Sequence, residues 1–136
     1  MDTDVHRAPL KVFLVEDAAS VRRNIAQLLE LLAGVQIVGE AEDSETALEA
    51  IRACRPDVAV IDLRLSAGSG IELISALAKS LPDIVMIALT NHSGPAFRAA
   101  CSKAGAHYFF DKTAEFDAAC HTIRDLSLAR RSRAIE

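Results

Sequence analysis

Residues 57–70 read DVAVIDLRLSAGSG: a short, almost unbroken apolar run ends on Asp62 and passes into a loop of small residues. Runs of this kind are what strands look like when both faces of a parallel sheet are covered. Just beyond the loop, Ser69 and Glu72 stand at capping-box spacing, so a helix opens there. The unit is strand, loop, helix, with an acid at the strand's carboxyl end. It recurs along the chain.

Strands are predicted at about 10–16, 35–41, 57–62, 84–90 and 106–110, each followed by a segment of helical period. Such alternation argues for βαβ units and one parallel sheet. In the first helix Val21, Ile25, Leu28, Leu29 and Leu32 form the inner stripe, Arg22, Arg23, Gln27 and Glu30 lie opposite, and Gly34 closes it. The second, about 44–54, buries Ala47, Leu48, Ile51 and Cys54 and stops before Pro56. The third carries Ile71, Ile74, Leu77 and Leu81 inward until Pro82. The fourth, about 94–104, has only Phe97, Ala100, Cys101 and Ala104 as its stripe, so it is expected to be weakly anchored. The fifth is predicted to start at a Thr113 cap, with Glu115 and Asp117 in its first turn and Phe116, Cys120, Ile123 and Leu126 inside.

Right-handed crossovers leave few sheets for five such units, and the doubly wound order 2-1-3-4-5 covers both faces. The fold class is therefore α/β, a five-stranded parallel sheet with five helices. A single domain is expected over 9–128, with short flexible tails at 1–8 and 129–136.

Composition agrees with this class. The 136 residues are 51% hydrophobic and 25% charged, with five Phe, one Tyr and no Trp, which suits a core of Val, Ile, Leu and Ala. Cys54, Cys101 and Cys120 are an odd set without a C-x-x-C, so they read as small buried hydrophobes in a reducing compartment. No stretch approaches the ~20 apolar residues of a membrane span, and the expected location is the cytoplasm. Net charge is −4. The one basic cluster, Arg130, Arg131 and Arg133, reads as a helix end whose cations complement the macrodipole, so no direct nucleic-acid contact is expected.

In the 2-1-3-4-5 order the first and third strands are neighbours, so Glu16, Asp17 and Asp62 converge at one sheet edge with Thr90 and Lys112. Three carboxylates so close raise one another's pKa unless a cation holds them. Magnesium, or manganese, suits such oxygen ligands and leaves room for phosphate oxygens. An Asp beside that cation, with an ammonium and a hydroxyl in reach, is set up to attack phosphorus and become an acyl phosphate.

In these motifs the chain resembles the receiver domain of two-component response regulators over residues 10–127. VED resembles the acidic metal-binding pair, Glu16 and Asp17. VIDLRLSAGSG resembles the phosphoacceptor segment, with Asp62 as acceptor and Gly70 at the family's glycine; ALTN places Thr90 and GAHYFFDK places Lys112, with Phe109 as the switch aromatic. The resemblance implies a flavodoxin-like fold, a further metal contact from the backbone carbonyl of Arg64, and phosphoryl transfer from a sensor histidine kinase or histidine phosphotransfer protein to Asp62. It also implies a switch in which Thr90 bonds the phosphoryl group, Phe109 turns inward, and the surface of the fourth helix, fifth strand and fifth helix changes for a downstream protein.

The pattern is departed from at several positions. Ser66 and Thr113 replace prolines common in the family. A cis bond before a non-proline costs ~2.5–4 kcal/mol, so Lys112–Thr113 is expected to be trans. Asn91 stands where a smaller residue is frequent in the family, and Arg64 and His92 match positions that in this family modulate water access to the acyl phosphate, so slow self-dephosphorylation is expected. Tyr108, Phe110 and Phe97 concentrate aromatics near the fourth helix and fifth strand.

The expected function is that of a stand-alone receiver, a phosphoacceptor signalling protein that catalyses its own phosphotransfer and is not a turnover enzyme, monomeric or weakly dimeric. Two other readings stay open: a receiver-like scaffold that is never phosphorylated, and a small phosphohydrolase of the haloacid-dehalogenase type, which commonly has a second acid where this chain has Arg64.

Overall fold

The computed structural model describes residues 8–91 and 94–135. Its elements are β1 (Leu10–Val15), α1 (Ala19–Glu30), β2 (Val35–Ala41), α2 (Ser44–Cys54), β3 (Val58–Ile61), α3 (Gly70–Ser80), β4 (Val85–Thr90), α4 (Pro95–Ala104), β5 (Tyr108–Asp111) and α5 (Phe116–Ile135). Every strand pair is parallel, and the order is β2-β1-β3-β4-β5.

The strands' two-residue alternation divides the core into halves. Phe13, Val15, Ala59, Ile61, Met86 and Ala88 face α2, α3 and α4, where Ile51, Ile74, Leu77 and Cys101 meet them. Val12, Leu14, Val58, Val60, Ile87 and Leu89 face α1 and α5, packing on Ile25, Leu29 and Ile123. Burying a side chain such as Ile74 or Leu77, neither of them exposed at all, is worth about 1.5–3 kcal/mol. Both faces are closed, as the near-continuous apolar runs require.

Local signals act largely as read. Ser69 caps α3, its hydroxyl accepting from the N–H groups of Ile71 and Glu72. Arg55, in the left-handed region at φ 48°, ends α2 ahead of Pro56. Gly94 and Pro95 open α4, and Gly105 closes it.

Some expectations are corrected. α1 ends at Glu30, short of Leu32, and Leu28 is turned to solvent while Ala26 takes the inner position. Thr113 does not cap α5. The chain first makes a turn in which Asp111 accepts from the N–H groups of Thr113 and Ala114, and the helix starts at Phe116. At its other end α5 runs on through Ile135, so helix occupies most of the stretch expected as a flexible carboxy-terminal tail. The reason is tethering: the Ser127 hydroxyl donates to the carbonyls of Ala33 and Gly34, and Arg130 bonds Asp57 and the Ala8 carbonyl. The expected amino-terminal tail lies, but for Ala8, outside the described residues. Cys101 is buried, whereas Cys54 and Cys120 are only partly so, and all three are free thiols. No described helix is long and apolar enough to cross a membrane.

Candidate functional site

Register brings the acids together. Val15 of β1 lies opposite Ile61 of β3, so Glu16 and Asp62 leave the sheet side by side, and the Asp62 N–H donates to the Val15 carbonyl at 3.0 Å. Glu16, Asp17 and Asp62 each offer an oxygen within 4.8 Å of the others. Glu16 and Asp62 are buried, and Asp17 is half-buried.

Lys112, just past the carboxyl end of β5, reaches this cluster. Its ammonium is 2.5 Å from Glu16 Oε1 and 2.8 Å from Asp62 Oδ2. The second oxygen of Glu16 accepts from the Ala18 N–H at 3.1 Å. Burial pushes the Glu16 carboxyl above its ordinary value, and the bonds from Lys112 and Ala18 only partly reverse this. Burial also pulls Lys112 downward, but its bonds to Asp62 and Glu16 and their charges outweigh that, and its pKa ends raised. The ammonium stays charged at neutral pH.

Thr90 ends β4, fully buried, and its carbonyl accepts the Lys112 N–H at 2.9 Å. The Lys112–Thr113 bond is trans, as expected. The Arg64 side chain is exposed, and its backbone N–H lies 3.4 Å from Asp62 Oδ1. Gly70 packs directly under the loop that follows Asp62: a Cβ there would sit 2.1 Å from the Asp62 carbonyl oxygen. Phe109 is half-buried, with the Arg98 guanidinium carbon 4.6 Å above its ring. Phe110 packs on the α1/α5 side, and Tyr108 stacks against it at 6.3 Å. His92 lies outside the described residues.

Several contributors were not legible as site residues. Arg22, read as solvent-facing, donates from Nη1 to the Glu16 carbonyl at 2.7 Å and pairs with Glu40 at 3.2 Å, fixing the loop that presents the acids. Asn91 stands out in the sequence for its size and not for the bond it makes: it accepts from the Thr113 hydroxyl at 3.0 Å. Arg98 pairs with Glu115 at 3.0 Å. Helical periodicity marks which face is apolar, not which polar side chain folds back onto a loop.

The donor set fits a hard divalent cation. It is all oxygen, it is clustered, and Glu16 is poorly compensated in its burial. Three carboxylates against one ammonium leave two negative charges, the number such an ion balances.

The sequence model of the response regulator receiver domain matches residues 12–124. The chain belongs to the response regulator receiver family. Among curated relatives, this receiver is 35% identical to the DNA-binding transcriptional activator DevR/DosR of Mycobacterium tuberculosis, over 89% of this chain and 56% of that one. It is 30% identical to the response regulator GacA of Pseudomonas aeruginosa, over 90% and 57% of the two chains. The receiver thus spans about half the length of these relatives. Among solved structures, the signal receiver domain of the putative response regulator NarL from Mycobacterium tuberculosis superposes with a TM-score of 0.80 at 27% identity, covering 88% of this chain and 96% of that one. A LuxR-family two-component response regulator from Aurantimonas sp. SI85-9A1 gives a TM-score of 0.83 at 28% identity, covering 90% and 88%. The fold class and the two-component affiliation read from the motifs are both borne out.

Proposed function

We propose that this receiver, spanning about 9–128, takes a phosphoryl group onto Asp62 from a phosphohistidine of a sensor kinase or phosphotransfer protein. A carboxylate oxygen of Asp62 attacks phosphorus, the phosphorus–nitrogen bond breaks, and the donor histidine keeps the electron pair. Lys112, already at Asp62, stays to neutralise the nonbridging oxygens. Glu16, Asp17, Asp62 and the Arg64 carbonyl would hold Mg2+ or Mn2+, which supplies charge neutralisation at the transferred group. Thr90 bonds the new phosphoryl group, Phe109 turns inward, and the α4–β5–α5 surface is remodelled for a downstream protein.

The observation that supports this reading best is the Glu16–Lys112–Asp62 contact, made by residues 96 and 50 positions apart. A structural ion pair needs one carboxylate; here one ammonium serves two at a sheet edge, with a third acid beside them. Arg64 and His92 are assigned to slowing water attack on the acyl phosphate, and the module works inside the cell.

Incubation with acetyl phosphate and Mg2+, followed by intact-mass measurement, tests the proposal. A phosphate adduct on wild type but not on Asp62→Ala is expected. No adduct on either favours an unphosphorylated scaffold; continuous phosphate release without an adduct favours a hydrolase.

A further inference from the structure

α4 is the helix held least by packing. Only Cys101 of its residues is buried, and a cleft of about 350 Å³ lined by Arg98, Ser102, Tyr108 and Phe109 opens between it and β5. Its position must therefore rest in good part on polar ties.

Two such ties run to the same short loop. The Thr113 hydroxyl donates to Asn91 Oδ1, fastening the residue after Thr90 to the residue after Lys112. Arg98 bonds Glu115 from Nη2 while lying over the Phe109 ring. The loop that receives both is itself closed: Glu115 Oε1 accepts from the Asp111 N–H at 2.8 Å, and Asp111 Oδ1 accepts from Thr113 and Ala114. A proline at 113 has neither the hydroxyl nor the N–H that these bonds use.

We propose that Asn91–Thr113 and Arg98–Glu115 form a two-point latch that holds the end of β4 and α4 to the Lys112 loop in the resting receiver, and that switching requires its release. This rests on the phosphoacceptor reading of Asp62. A shift of the Thr90 backbone toward Asp62 strains the Asn91–Thr113 bond one residue on, and an inward turn of Phe109 draws its ring away from Arg98. Each tie is partly exposed and individually modest.

Hydrogen exchange of the unphosphorylated protein decides it. Relative to wild type, Thr113→Val and Arg98→Gln should each speed exchange of the α4 amides about threefold, and the double variant about tenfold. Thr113→Ser, which restores the hydroxyl, should behave as wild type. Urea midpoints identify any variant whose exchange reflects global unfolding, in which case Arg98→Lys, keeping the charge but not the planar stack, replaces Arg98→Gln. Unchanged α4 exchange in the double variant overturns the latch. Labelling of Asp62 by acetyl phosphate with Mg2+ should also be faster in the double variant; faster exchange with an unchanged labelling rate overturns its part in switching. An absence of adduct on wild type overturns the phosphoacceptor reading instead, and the exchange result still decides whether the latch exists.

Discussion

The Lys112 ammonium lies 2.8 Å from Asp62 Oδ2 across 50 residues of sequence, so the receiver carries its own counter-ion at Asp62. Removing it leaves buried carboxylates unpaired. Lys112→Met is expected to destabilise the metal-free protein by about 3 kcal/mol, the low end for breaking a buried pair because the ammonium keeps some solvent access. Mg2+ should restore more stability to the variant than it adds to wild type, which urea titrations with and without the ion would show.

Gly70 offers a test of how tightly the loop after Asp62 is built. A methyl there meets backbone, the Asp62 carbonyl oxygen at 2.1 Å and Leu63 Cα at 2.7 Å, and no flexible side chain can yield. Gly70→Ala should cost about 2 kcal/mol as overpacking and weaken Mg2+ binding by calorimetry, because relief of the clash displaces Asp62.

Glu115 gives the Arg98 tie a pH dependence. Its carboxyl is held below the ordinary 4.5 by the Asp111 N–H first and by Arg98 second, against a small burial effect and the nearby Asp111 charge. A lowered folded value means the contribution is complete above pH 4.5 and is lost as pH falls through that folded value. The ratio of α4 exchange in Arg98→Gln to that in wild type should be constant above pH 4.5 and approach unity on acidification.

Cys101, fully buried on the inner face of α4, has its thiol pushed up to about 11 by burial. At pH 8 about one thiol in a thousand is thiolate, so iodoacetamide should modify Cys101 only as fast as α4 opens. Peptide mapping after alkylation, with and without urea, measures this. Rapid modification of the folded protein would contradict the burial.

The acyl phosphate should be long-lived if Arg64 and His92 screen the attacking water. Arg64→Ala and His92→Ala are each expected to speed loss of the phosphoryl group severalfold, followed by mass after removal of the donor. Equal rates in all three proteins would refute the screening role.

Much of this architecture was legible because its signals are local and periodic. The apolar run ending at Asp62, the Ser69 cap and the prolines after α2 and α3 set elements and order, and sheet order alone brought Glu16, Asp17, Asp62 and Lys112 to one edge. What stayed hidden was decided by side chains reaching across loops. Arg22 looked like any polar residue on the outer face of α1, yet it folds back to the Glu16 carbonyl. Thr113 carried a cap signal, but Asp111 took the N–H groups first and delayed α5 to Phe116. Leu28 fell at the right spacing and still faces solvent, because Ala26 and Leu29 already fill the space over the sheet.

The bonds from Ser127 and Arg130 fasten the remote part of α5 to the opposite edge of the sheet from Asp62. The pin sits about two-thirds of the way along the 20 residues of α5, about 17 Å from Phe116, so any displacement of the stretch before it, which packs through Ala119 and Ile123, grows toward Phe116. Motion set off in the Lys112 loop would be widest around Glu115 and smallest near Leu128. A spectroscopic label near Glu115 would then register the signal, while one at Leu128 would serve as the stationary reference.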